Sequence, residues 1–80
     1  MDRPRILIVD DEESMRRFLS ILLEREGYQV TVVPDGDAAL SSMEQQSYDV
    51  VVTDVRMPGM DGISLLENIK SRWSETPVVI

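Results

Sequence analysis

The sequence predicts an α/β domain built on an open parallel sheet, and three observations carry that prediction. Short apolar runs rich in β-branched residues, Arg5 to Val9 and Val50 to Thr53 above all, are continuous rather than alternating, as strands buried on both faces are. Between the runs, apolar residues recur at helical spacing. The connections are only a few residues long. Strands alternating with helices through short loops imply right-handed crossovers, in the order β-α-β-α-β-α-β.

The first strand, Arg5 to Val9, stops at Asp10 and Asp11, with Glu12 and Glu13 close behind. Acidic residues suit the first turn of a helix, where backbone N–H groups are unpaired. A helix is expected from about Glu13 to Glu26, with Met15, Phe18, Leu19, Leu22 and Leu23 as its core stripe. Arg16, Arg17, Glu24 and Arg25 then face water, and Gly27 is placed to end the helix in the left-handed region. Tyr28 to Val33 is strand-like and more alternating, which fits a half-exposed edge.

Pro34-Asp35-Gly36-Asp37 reads as a turn, followed by a helix from Ala38 through Met43 to near Ser47. The third strand, Val50 to Thr53, delivers Asp54 at its end. Pro58, Gly59 and Gly62 break the chain into a loop, and Asp61 is a candidate N-cap for a third helix ending near Arg72. Gly62 suits either a close backbone approach or a plain turn. Ile63, Leu66, Ile69 and Trp73 form that helix's expected inner stripe, with Trp73 equally suited to an interface. Thr76-Pro77 then turns the chain into a fourth strand, Val78 to Ile80.

Composition narrows the function. Eighty residues make one small domain, and a hydrophobic fraction of 42% supports a globular core. Without cysteine or histidine there is neither a disulfide nor a thiolate or imidazole metal site. Any metal site must be built from oxygen, which favours magnesium, calcium or manganese. With 15 acidic against 8 basic residues the net charge is −7, which argues against this segment binding nucleic acid or an anionic membrane. Met1-Asp2-Arg3-Pro4 leads straight into the first strand, so no signal peptide is expected and a cytoplasmic location is the default.

A carboxylate at the carboxyl end of a buried strand lies where open α/β sheets bind their ligands. If the first and third strands are neighbours, Asp10, Asp11 and Asp54 come together there. Two full charges ~4 Å apart at an effective dielectric of ~20 repel by about 4 kcal/mol, so a proton or a cation must relieve the cluster. Magnesium fits, being hard, oxygen-seeking and prone to bridge carboxylates and phosphate. Such a cluster can bring a phosphoryl group to a carboxylate nucleophile, Asp54, attacking in line.

Val9-Asp10-Asp11 after a first strand, together with Asp54-Val55-Arg56-Met57-Pro58-Gly59-Met60-Asp61-Gly62, resembles the receiver domain of two-component response regulators. The likeness covers Arg5 to Ile80 in element order as well as motif. It implies a flavodoxin-like, CheY-like doubly wound sheet with strands in the order 2-1-3-4, ending here after the fourth. It implies that Asp54 accepts phosphate from a phosphohistidine on a sensor histidine kinase. Mg2+ would be bound by Asp10, Asp11, Asp54 and the backbone carbonyl of Arg56, whose side chain would lie near the phosphate. Met57, Pro58, Gly59, Asp61 and Gly62 would be structural residues of the loop. Thr53 to Gly62 with Trp73 to Ile80 looks most like the receivers of sigma-54-dependent (NtrC-type) transcription activators.

A complete receiver also carries a Thr or Ser after the fourth strand and a lysine after the fifth. Both are expected to fall beyond Ile80, so residues 1–80 read as the N-terminal two-thirds of a receiver. Such a receiver promotes its own phosphorylation without being an independent enzyme. Two other functions compete. A phosphatase of the haloacid-dehalogenase type would want a second Asp two residues after the nucleophile, where Arg56 stands. A non-switching assembly module is the other, because Val78, Val79 and Ile80 would form an apolar edge that invites pairing with another chain. Self-association, as a dimer or swapped oligomer, is therefore expected.

Overall fold

The computed structural model describes residues 3–80. Met1 and Asp2, where the expected leader-free start lies, are outside the described residues. The elements alternate as β1 (Arg5–Val9), α1 (Glu13–Arg25), β2 (Gln29–Val33), α2 (Gly36–Gln45), β3 (Val50–Thr53), α3 (Gly62–Arg72) and β4 (Val78–Val79). The strands form one sheet, ordered β2-β1-β3-β4 and parallel throughout. The α/β class and the strand order are those the sequence led us to expect.

β1 is central, pairing Ile6 with Val30 on one side and Val50 on the other, and Val9 with Val33 and Thr53. That position explains its unbroken hydrophobicity, since Ile6, Leu7, Ile8 and Val9 are all buried. Side chains alternate across a strand, so the two faces carry different sets. Leu7, Val9 and Val51 join Ala39 and Met43 of α2 and Leu65 and Ile69 of α3 in the main core. Ile6 and Ile8 face the opposite side, where α1 lies over β1 and β2. Helices thus cover both faces, but unequally.

That inequality corrects one expectation. The Met15, Phe18, Leu22 stripe is not core: Phe18 is 60% exposed, Leu22 43%, and no residue of α1 is buried. α1 is the only helix on its face among the described residues, so its inner edge touches the sheet while the flank toward β3 and β4 has no helical neighbour. Its C-terminus behaves as expected. Gly27, at φ +96°, and Tyr28 return their N–H groups to the carbonyls of Glu24 and Leu23, at 3.1 and 3.2 Å.

Two other helices differ in detail. α2 begins at Gly36 rather than Ala38, because Asp35 accepts the Ala38 N–H at 2.8 Å and caps the chain before the expected turn is complete. It also stops at Gln45, since Gln46 is extended. In α3 the buried positions are Gly62, Leu65 and Ile69, with Trp73 packed against the same cluster. Ile63 is exposed and Leu66 half-buried, so the inner stripe sits one position away from the expected one at its start. Gly62 itself turns inward, close against Asp54 and Val55 just beyond the end of β3. Among the described residues the single ion pair is Arg72 with Glu44 at 2.5 Å, joining α3 to α2. Both side chains are largely exposed, so it contributes little, about 0–1 kcal/mol.

Candidate functional site

Two strand ends build the site. Pairing of Val9 with Thr53 makes the next residues, Asp10 and Asp54, leave the sheet side by side. The Asp54 N–H donates to the Val9 carbonyl at 3.1 Å, and the Asp10 N–H to the Val33 carbonyl at 3.1 Å. Asp11 follows in the turn before α1. Carboxylate oxygens of Asp10, Asp11 and Asp54 all lie within 4.8 Å of one another. Asp10 is the most enclosed of the three, while Asp11 and Asp54 are exposed. Solvent therefore screens part of the repulsion expected for three close charges.

Backbone donors fix one oxygen on two of these carboxylates. Asp10 Oδ1 accepts the Glu12 N–H at 2.9 Å, and Asp54 Oδ1 accepts the Val55 N–H at 2.8 Å. Each keeps its second oxygen for a ligand. The Asp10 carbonyl is held as well, accepting from Arg16 Nη1 at 2.7 Å.

The loop from Asp54 to Gly62 is shaped by two close approaches. The Gly62 N–H donates to the Val55 carbonyl at 2.8 Å, and a Cβ at Gly62 would lie 2.3 Å from the Asp54 carbonyl oxygen. Of the two roles Gly62 suits, the structure shows close backbone approach. Met57 turns inward into the core, and the buried Thr53 hydroxyl sits between its sulfur, 4.0 Å away, and the Asp54 carbonyl, to which it donates at 3.0 Å. Gly59 supplies the left-handed step at φ +78°, beside exposed Pro58. Arg56 is exposed in the same loop. Asp61 caps α3, accepting the Ser64 N–H at 2.8 Å, and hydrogen bonds from Ser64 hold its carboxyl below the ordinary carboxylate range.

Three contributors escaped the sequence reading. Arg16 was assigned to water, yet helical side chains lean toward the N-terminus, which is the signal that could have found it. Thr53 ends the third strand and opens the Thr53–Gly62 string in the sequence, but nothing there points to its hydroxyl contacts with the loop. Met60 packs so closely on Gly36 that a Cβ there would meet its sulfur at 2.9 Å. Nothing in a one-dimensional pattern pairs those two residues.

The donor set suits a small, hard cation. It is all oxygen, it carries the charge that such an ion offsets, and its oxygens converge within 4.8 Å of one another. Much of the site faces solvent, so water can complete the coordination.

Residues 6–80 match the response regulator receiver domain family. Among curated relatives, the transcriptional regulatory protein FixJ of Bradyrhizobium diazoefficiens is 43% identical over 75 residues, which is 94% of this chain and 37% of that protein. The uncharacterized transcriptional regulatory protein YkoG of Bacillus subtilis is 39% identical over 80 residues, covering 100% of this chain and 35% of its own length. The chain thus spans about a third of these relatives. Among solved structures, the chemotaxis protein CheY4 of Vibrio cholerae superposes with a TM-score of 0.92 at 33% identity, covering 96% of this chain and 66% of that one. The response regulator TrrA of Thermotoga maritima, solved in complex with Mg(2+)-BeF, gives 0.90 at 33% identity, covering 94% and 65%. TrrA has also been solved in complex with the histidine kinase ThkA. The fold, the paired strand ends and these likenesses agree: the chain belongs to the response regulator receiver domain family, the receiving component of two-component phosphorelays, and is not an independent enzyme.

Proposed function

We propose that Asp54 is the phosphoacceptor of this receiver, taking its phosphoryl group from a phosphohistidine on a sensor histidine kinase and switching a transcriptional output domain. The observation that carries this reading is the convergence of Asp10, Asp11 and Asp54 within 4.8 Å at the carboxyl ends of β1 and β3. The Val55 N–H holds Oδ1 of Asp54, which leaves Oδ2 to attack phosphorus as the P–N bond to the histidine breaks. Asp10, Asp11, Asp54 and the Arg56 carbonyl would hold Mg2+, which would offset charge on the phosphoryl oxygens. TrrA, which has a complex with Mg(2+)-BeF and another with a histidine kinase, supports extending both to this chain. A cytoplasmic location goes with that partner, and no described helix is long and apolar enough to cross a membrane.

We read residues 1–80 as the N-terminal two-thirds of such a receiver, on the 61–66% of the first solved receivers that the chain covers. The hydroxyl and lysine of the family pattern belong after the fourth and fifth strands, outside these residues. Acetyl phosphate with Mg2+ should therefore add one phosphoryl group slowly, at Asp54 alone, as read by intact mass and peptide mapping. A label that survives Asp54→Asn, or that forms equally well in EDTA, overturns the assignment. The NtrC-type placement rests on the Thr53–Gly62 string, while the relatives include regulators of several kinds. An AAA+ ATPase segment encoded after the receiver in the parent gene supports that placement, and a different output domain removes it.

A second reading has its own observation. Phe18, Leu22, Val79 and Ile80 are 43–60% exposed, and Val79 lies on the edge strand β4. An exposed apolar edge of this kind pairs readily, so the 80-residue chain self-associates, as a dimer or swapped oligomer. A cooperative monomer in sedimentation at micromolar concentration would rule this out.

A further inference from the structure

We infer that Arg16 is a positioning residue of the acidic site: it sets the Asp10–Asp11 turn in a cation-binding arrangement while leaving both carboxylates uncompensated. The inference rests on the Mg2+ reading above. It begins with a weakness at the start of α1, where the N-cap residue, Glu12, makes no side-chain cap. The turn before the helix is instead held through Asp10. Its N–H is tied to Val33, its Oδ1 to the Glu12 N–H, and its carbonyl to Arg16 Nη1 at 2.7 Å. The third tie comes from six residues on, a charged donor at the short end of the range for such bonds. Because the peptide unit is planar, fixing the Asp10 carbonyl also fixes the direction in which Asp11 leaves the turn.

The choice of acceptor is the telling point. A guanidinium bonded to the backbone of one acidic-site residue could instead have paired with that residue's carboxylate. Yet among the described residues the single ion pair is Arg72 with Glu44. Arg16 directs Nη1 to a neutral carbonyl, half-buried against the turn, and makes no ion pair with the acidic cluster. A bare positive charge would only weaken cation binding, whereas a brace on a ligand residue strengthens it. The geometry places Arg16 with the brace.

Calorimetric titration of the 80-residue chain with MgCl2, alongside metal-free melting curves, separates these roles. Arg16→Met should weaken Mg2+ binding roughly tenfold, the lower end of what loss of a ligand-orienting contact costs. Arg16→Lys, which can still donate to the carbonyl, should recover part of that loss. A purely structural role would lower the metal-free melting temperature and leave the Kd unchanged. A purely electrostatic role would tighten binding in Arg16→Met. Either result overturns the inference while the parent chain still binds Mg2+. A parent chain that binds no Mg2+ overturns the metal site itself, and Arg16's role with it.

Discussion

At Gly62 a hydrogen atom is all that fits. A Cβ would lie 2.3 Å from the Asp54 carbonyl oxygen and 2.9 Å from the Val55 Cα, both backbone atoms that cannot swing aside. Gly62→Ala should cost about 1–3 kcal/mol, as overpacking does, measured as a lower denaturation midpoint, and should move Asp54 with it. Gly36→Ala is the control. Its new Cβ meets only side-chain atoms of Met60, the sulfur at 2.9 Å and the Cβ at 3.0 Å. The sulfur can swing away while the Cβ must give a little, so a loss smaller than that of Gly62→Ala is expected. Asp61 gives a prediction in pH. Its folded-state value is depressed below the ordinary 3.8, so its contribution is full above 3.8 and is lost as pH falls through the folded value. The melting-temperature gap between the parent chain and Asp61→Ala should therefore be widest near neutrality and close in acid below 3.8. Residue chemistry of this kind was readable in the sequence where one neighbour decides it, as with the cap at Asp61. It was hidden where a contact spans the fold, as between Gly36 and Met60.

Among the elements, α1 and α3 look alike in sequence and behave differently in place. Both have an apolar stripe at helical spacing, yet Leu65 and Ile69 are fully buried and Phe18 is 60% exposed. Periodicity reports which side of a helix is apolar, and says nothing about how much material lies opposite. α3 shares its face of the sheet with α2, whereas α1 has its face to itself among the described residues. Leu65→Ala should cost 2–5 kcal/mol at any protein concentration. Phe18→Ala should cost under about 1 kcal/mol in dilute solution and more as concentration rises, if a second copy covers that face. Unfolding curves at two concentrations roughly a hundredfold apart read the difference. The one-position offset at the start of α3 is of the same kind: Ile63 and Leu65 are both strongly apolar, and with Gly62 turned in against Asp54 and Val55, Leu65 is the one buried.

For the molecule as a whole, the metal site and the fold are linked. A ligand that binds only the folded chain stabilises it by RT ln(1 + [L]/Kd), about 1.4 kcal/mol at roughly ten times the Kd. In a domain this small, each kcal/mol moves the melting temperature by about 4–8 °C, so saturating Mg2+ should raise it by several degrees or more. An unchanged melting curve in millimolar Mg2+ would mean that the three carboxylates do not work as one site. Class, strand order and the acidic cluster were legible because they depend on which residues end β1 and β3. The brace from Arg16, the inward turn of Met57 and the bare flank of α1 were not. The first two depend on how a side chain leaves its own turn or loop, only six and four residues from its partner. The third depends on what packs on the far face of the sheet.

The Val9–Thr53 pairing has a consequence for how this site can change. Asp54 reaches Asp10 by chain length, since each follows the last paired residue of its own strand. Exchanging Val50 or Val52 for isoleucine leaves that distance untouched, so the strand bodies are free to drift. Removing a single residue from Val50–Thr53 shifts the later side chains of that strand to the other face of the sheet and takes Asp54 away from its partners. The site therefore tolerates substitutions nearby far better than a change of one in the length of β3.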